Sequence, residues 1–73
     1  MNEETWKAVH HLLAIWSQYG NVITEGGTTI YKTDYMKAGE HAATFVASLG
    51  LGETDGFALV LNEKGRAIEG GKW

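Results

Sequence analysis

A chain of 73 residues forms one domain at most, and a domain this small buries a smaller fraction of its unfolded surface than a larger one, so modest stability is expected. With 44% hydrophobic residues, three tryptophans, three tyrosines, two phenylalanines and no proline, its composition excludes a disordered tail. The absence of cysteine excludes disulfides and thiolate metal sites, and a net charge of -3 has the wrong sign for the cationic footprint with which proteins neutralise phosphates.

No run approaches the roughly 20 apolar residues that span a bilayer, so no membrane partner is expected. The start, Met1-Asn2-Glu3-Glu4, is acidic where a secretory signal is basic. A cytoplasmic location is the expectation.

The first element runs from Glu3 to Tyr19. Trp6, Val9, Leu12, Leu13, Trp16 and Tyr19 recur at helical spacing and collect into one apolar stripe, with Ile15 at its border. Opposite lie Glu3, Glu4, Lys7, His10, His11, Ser17 and Gln18. Asn2 is suited to cap the amino end, the two glutamates suit the helix dipole, and Gly20 suits the carboxyl-terminal stop.

From Asn21 to Tyr31, two β-branched runs flank Gly26-Gly27, whose tolerance of positive φ predicts a tight hairpin with Ile23 opposite Ile30. A second helix is expected to start near Thr33 or Asp34 and to run to Leu49. Its buried side is expected to be Tyr35, Ala38, Ala42, Phe45, Val46 and Leu49, with Met36 and Ala43 beside them. Gly39 costs that helix about 1 kcal/mol relative to alanine, which implies either a close backbone approach or a break. Gly50 ends the helix, and Leu51 folds back against it.

Gly52 to Gly56 is expected to be a turn. Phe57-Ala58-Leu59-Val60-Leu61 is an uninterrupted apolar strand, expected to be central or buried on both faces. Its neighbour is either the Gly26-Gly27 hairpin or a returning strand, Arg66 to Glu69, across a loop in which Gly65 is left-handed. Alternatively, Asn62 caps a short last helix from Glu63 to Glu69. The fold class is therefore α+β: a small single domain, residues 1–73, with two main helices and a two- to three-stranded antiparallel sheet.

The stretch ASLGLGETDGFALVLNEKGRAIEGG, above all Leu61-Asn62-Glu63-Lys64-Gly65-Arg66-Ala67, resembles the second half of a winged-helix domain, in which a recognition helix ends in a Leu-Gly-Leu phrase and a wing follows. The resemblance covers about half the chain. It implies that Lys37 to Leu49 matches the recognition helix and Trp6 to Tyr19 the first helix. Where such domains carry a further short helix, this chain is β-branched and glycine-rich, so the likeness is to a modified winged helix.

Candidate chemistry is sparse. Adjacent residues on a helix point about 100° apart, so His10 and His11 do not make the i, i+4 pair of a zinc site and are expected to be solvated. No metal or cofactor is expected. No nucleophile motif, phosphate loop or paired carboxylate appears, and a chain this small is not expected to build a pocket of about 300 Å³ or more, so an enzyme is not expected. Lys37, His41, Thr44 and Ser48 have the spacing of a major-groove reader, and with Lys64 and Arg66 they form the candidate nucleic-acid surface.

The expected function is a non-catalytic module that docks on a larger protein or complex and regulates or inhibits it. In size and charge the chain is similar to small phage-encoded inhibitors of host machinery. Glu53, Asp55, Glu63, Glu69 and Trp73 are the candidate contacts. The acids, with Glu3 and Glu4, would present negative potential to a basic, nucleic-acid-handling protein and speed encounter, and any exposed tryptophan would act as an anchor. The alternative is a winged-helix DNA-binding transcriptional regulator. A homodimer is open in either case.

Overall fold

The computed structural model of the protein describes residues 2–19, 21–33 and 37–73. Along these residues the elements are α1 (Glu3–Gln18), β1 (Val22–Glu25), β2 (Thr28–Lys32), α2 (Lys37–Ser48), β3 (Gly52–Thr54), β4 (Ala58–Leu61) and α3 (Glu63–Glu69). The four strands form one antiparallel sheet in the order β1-β2-β4-β3. The α+β class is as expected, with one more strand and one more helix than the two main helices and two or three strands read from the sequence.

Helix α1 begins as expected: Asn2 is extended and its Oδ1 accepts from the Thr5 amide at 3.0 Å, while Glu3 and Glu4 occupy the first turn. Of the expected stripe, Val9, Leu13 and Trp16 are buried and Trp6 and Leu12 pack partly against them. Tyr19 departs from the expectation, being 75% exposed at the carboxyl-terminal cap, because the helix ends at Gln18. The expected stop at Gly20 lies outside the described residues.

The β1–β2 hairpin closes through Gly26 and Gly27, with φ of 58° and 80°, both costly for a residue with a Cβ. Ile23 stands opposite Ile30 as the sequence implies.

Helix α2 is turned relative to its expected orientation. Ala43 and Val46 are its buried residues, whereas Ala38 is exposed and Phe45 is 48% exposed. Small side chains explain this: Ala42, Ala43 and Ala47 let the helix lie close to the core, and the Phe45 ring is too large for that seam. Gly39 belongs to the same close approach, since a Cβ there would come within 2.8 Å of the Thr33 carbonyl oxygen. The helix is unbroken. Thr33 is buried, and its hydroxyl donates to the carbonyls of Gly56 and Phe57 at 3.0 and 3.1 Å; the amides it was expected to cap lie outside the described residues. The alternative cap Asp34 and the expected core residues Tyr35 and Met36 lie outside the described residues.

The segment from Gly52 to Thr54, expected to be part of a turn, is the edge strand β3. Strand β4 is central, between β2 and β3, but it is buried on one face only: Leu59 and Leu61 are in the core, whereas Val60 is 39% exposed. The partner left open by the sequence is β2, and the last segment is a helix. Asn62 accepts from the Gly65 amide at 2.9 Å and donates through Nδ2 to the Gly50 carbonyl at 2.8 Å, so it caps α3 and ties it to the end of α2. Gly65 is not a left-handed loop residue. It is buried in α3 against the Leu51 carbonyl, where a Cβ would collide.

The core is one cluster: Val9, Leu13 and Trp16 of α1, Ala43 and Val46 of α2, Ile68 of α3, Leu51, and Tyr31, Leu59 and Leu61 of the sheet. Alternation along β2 and β4 puts Tyr31, Leu59 and Leu61 on one face and Ile30 and Val60 on the other. All three helices contribute to the core on the first face. No helix among the described residues covers the second.

Candidate functional site

The register of the sheet assembles the uncovered face. Ile23 pairs with Ile30, Ile30 with Val60 and Val60 with Glu53, so three β-branched apolar residues and one carboxylate form a row across all four strands. Ile23 and Val60 are each 39% exposed. Two residues along the strands Glu25 pairs with Thr28, and two residues the other way Lys32 pairs with Ala58. A side-chain period of two keeps both pairs on the same face as the Ile23–Val60 row, at its two edges. The apolar centre therefore has Glu25, Glu53 and Lys32 at its margin.

Beyond β3, Asp55 is exposed and its Oδ1 accepts from the Phe57 and Ala58 amides at 2.8 and 3.1 Å. These bonds, from Phe57 first and then Ala58, hold the Asp55 carboxyl below the usual range. Glu63 is exposed in the first turn of α3. Glu53, Asp55 and Glu63, named from the sequence as partner contacts, are thus all at the surface near β3 and β4.

The other two residues of that set are differently placed. Glu69 is half-buried and accepts a hydrogen bond from the Tyr31 hydroxyl, so it is a structural partner and not a free surface acid. Burial, and then the facing Glu69 carboxylate, push the Tyr31 phenol well above the ordinary tyrosine value. Trp73 is 47% exposed and lies 5.9 Å from the His10 ring.

His10 corrects a second expectation. It is half-buried, and its Nδ1 donates to the carbonyls of Ile68 and Glu69 at 3.0 and 3.1 Å, satisfying the carboxyl end of α3. His11 remains exposed. Among the described residues no group of three His, Cys, Asp or Glu converges as a metal site.

On α2, Lys37, His41, Thr44 and Ser48 share one exposed face. Lys37 lies 3.7 Å from Glu40, and the hydroxyls of Thr44 and Ser48 donate to the Glu40 and Phe45 carbonyls of their own helix. Lys64 lies 4.7 Å from the centre of the Trp6 ring, and Arg66 donates to the Leu61 carbonyl at 3.0 Å. These two cations are therefore engaged with α1 and the end of β4.

The expectation that no pocket of about 300 Å³ would form does not hold. A cleft of about 390 Å³ runs between α1 and α2, walled by Leu12, Ile15, Trp16, Tyr19 and Ala42. A second, of about 310 Å³, opens between α1 and the β1–β2 hairpin. Helices on only one side of a small sheet leave gaps where they diverge, which total chain length does not reveal.

Comparison with protein-family models, with curated protein sequences and with solved structures finds no match to the chain. Among the described residues, no helix is long and apolar enough to cross a membrane.

Proposed function

We propose that this chain is a non-catalytic protein-binding module that docks through its uncovered sheet face on a larger protein and regulates or inhibits it. The observation that carries the proposal is the Ile23–Ile30–Val60 row, continuous across three strands and ending in Glu53. A half-exposed apolar row on an antiparallel sheet is a surface that a partner can desolvate. With Glu25 and Glu53 against Lys32 on that face, and with Asp55 and Glu63 nearby, the complementary partner surface is apolar at its centre and basic at its rim. Proteins that handle nucleic acid carry such basic surfaces.

The test is capture from the source cell with the wild-type chain and with an Ile23→Thr, Ile30→Thr, Val60→Thr variant, in which threonine keeps the β-branched shape. A specific large protein retained by the wild type and lost by a folded variant supports the proposal. Glu53→Lys should weaken the same capture and lessen its dependence on salt. Capture that ignores both variants would overturn it.

The exposed α2 face keeps a second reading in view, a winged-helix DNA-binding regulator. For that reading, duplex binding at low salt must appear, fall steeply as salt rises and vanish when Lys37, Lys64 and Arg66 become alanine.

A further inference from the structure

The cleft between α1 and the β1–β2 hairpin has a chemistry unlike that of the sheet face. Its polar wall is Glu69, Tyr31, Ser17 and the cross-strand pair Thr24 and Thr29, and its apolar wall includes Leu13. The Tyr31 hydroxyl, on a side chain 1% exposed, spends its proton on Glu69 Oε2. The Ser17 hydroxyl likewise donates to the Ala14 carbonyl and is left as an acceptor. Thr24 and Thr29 have side-chain oxygens that bond to nothing among the described residues.

The cleft is thus a set of acceptors around one carboxylate. Among the described residues no lysine or arginine lies within ion-pairing distance of Glu69. A half-buried carboxylate with a neutral hydrogen-bond donor and no counter-ion is a site that gains when a cation arrives.

We propose that this cleft binds an organic cation, a guanidinium or primary ammonium group, with Glu69 as its counter-ion and the Thr24, Thr29 and Ser17 oxygens as further acceptors. One carboxylate with neutral hydroxyls is too weak a donor set for a divalent metal, which takes six or more oxygens or several charged ligands. Leu13 supplies the apolar surface along which an alkyl stem lies. A volume of about 310 Å³ suits the head and stem of one arginine or lysine side chain and is at the lower limit for small-molecule sites. The site is separate from the sheet face, and the two proposals stand or fall independently.

The test is a chemical-shift titration of the full chain with methylguanidinium chloride and with methylammonium chloride, each against sodium chloride at matched ionic strength. A capped Gly-Arg-Gly peptide forms a second arm. Saturable shifts at Thr24, Thr29 and the Tyr31 ring are expected, absent with sodium chloride. Glu69→Gln keeps an acceptor for Tyr31 and so keeps the fold, and affinity should fall at least about tenfold, a 1.4 kcal/mol change. Thr29→Val should weaken binding with less effect. Binding of the small cations marks a free-ligand site, and binding of the peptide alone marks a site for a partner's side chain; both support the assignment. Unchanged affinity in Glu69→Gln, or shifts confined to Glu53 and Asp55, would overturn it.

Discussion

The Tyr31 hydroxyl donates to the Glu69 carboxylate across 38 residues of chain, joining the central strand β2 to the last turn of α3. Tyr31 also packs against Trp16, ring centres 5.2 Å apart and tilted by 60°, and the Trp16 indole donates to the Lys32 carbonyl at 3.0 Å. Sheet, α1 and α3 thus meet at one side chain. Tyr31→Phe should keep the ring contact and lose the hydrogen bond to a charged acceptor, lowering stability by about 1.5–3 kcal/mol in urea unfolding. A loss under 0.5 kcal/mol, roughly the spread of neutral surface changes, would show that the pair contributes little.

The same pair sets an alkaline limit. Because the folded-state phenol value is raised above that of the unfolded chain, its contribution is full below about pH 10, the ordinary tyrosine value, and declines as pH rises beyond it. Between pH 9 and pH 11 the wild type should lose more stability than Tyr31→Phe. Lysine deprotonation acts on both chains alike and cancels in the difference. Equal losses would remove the linkage.

At Asp55 the sign is opposite. Its carboxyl is held below 3.8 by the Phe57 and Ala58 amides, so the turn before β4 is supported above that pH and weakens as pH falls through the lowered value. The Phe57 and Ala58 amide signals should move together with a midpoint below 3.8. Asp55→Ala should abolish that titration. A midpoint at the unperturbed value would argue that the carboxylate does not hold these amides.

Gly65 and Gly39 should respond differently to alanine. At Gly65 the new Cβ meets main chain of Leu51 in the core, and a loss of about 2–3 kcal/mol is expected, as for overpacking. At Gly39 the Cβ approaches the Thr33 carbonyl, but a gain of about 1 kcal/mol in helix propensity offsets part of the cost. Thermal melts of the two variants should rank Gly65→Ala lower. The reverse order would mean that α3 can shift away from Leu51.

Removing the His10 ring leaves the Ile68 and Glu69 carbonyls without that donor and frees Trp73 from its neighbour. His10→Ala should cost about 1 kcal/mol and red-shift the emission of Trp73, taken as the difference between spectra with and without Trp73→Phe so that Trp6 and Trp16 cancel. An unchanged spectrum would show that Trp73 does not depend on His10.

Local chemistry determined much of this fold from sequence alone. Asn2, Gly26-Gly27 and the apolar run of β4 act through neighbours in the chain: a side-chain cap, two positive φ values and strand alternation, all visible without tertiary information. Asn62 was legible as a cap but ambiguous, because the same Gly65 suits a left-handed loop or a helix pressed against another backbone. Only the Leu51 carbonyl, distant in sequence, decided between them.

The rotation of α2 and the strand β3 were likewise decided in three dimensions. Which stripe of an alanine-rich helix faces the core depends on the room its neighbours leave, and Gly52–Thr54 becomes a strand only because β4 offers it an edge. The composition fixed the surplus of acid. The location of that charge around an apolar row, and the pairing of Glu69 with Tyr31, follow from strand register and helix docking, which bring together groups that no local rule connects.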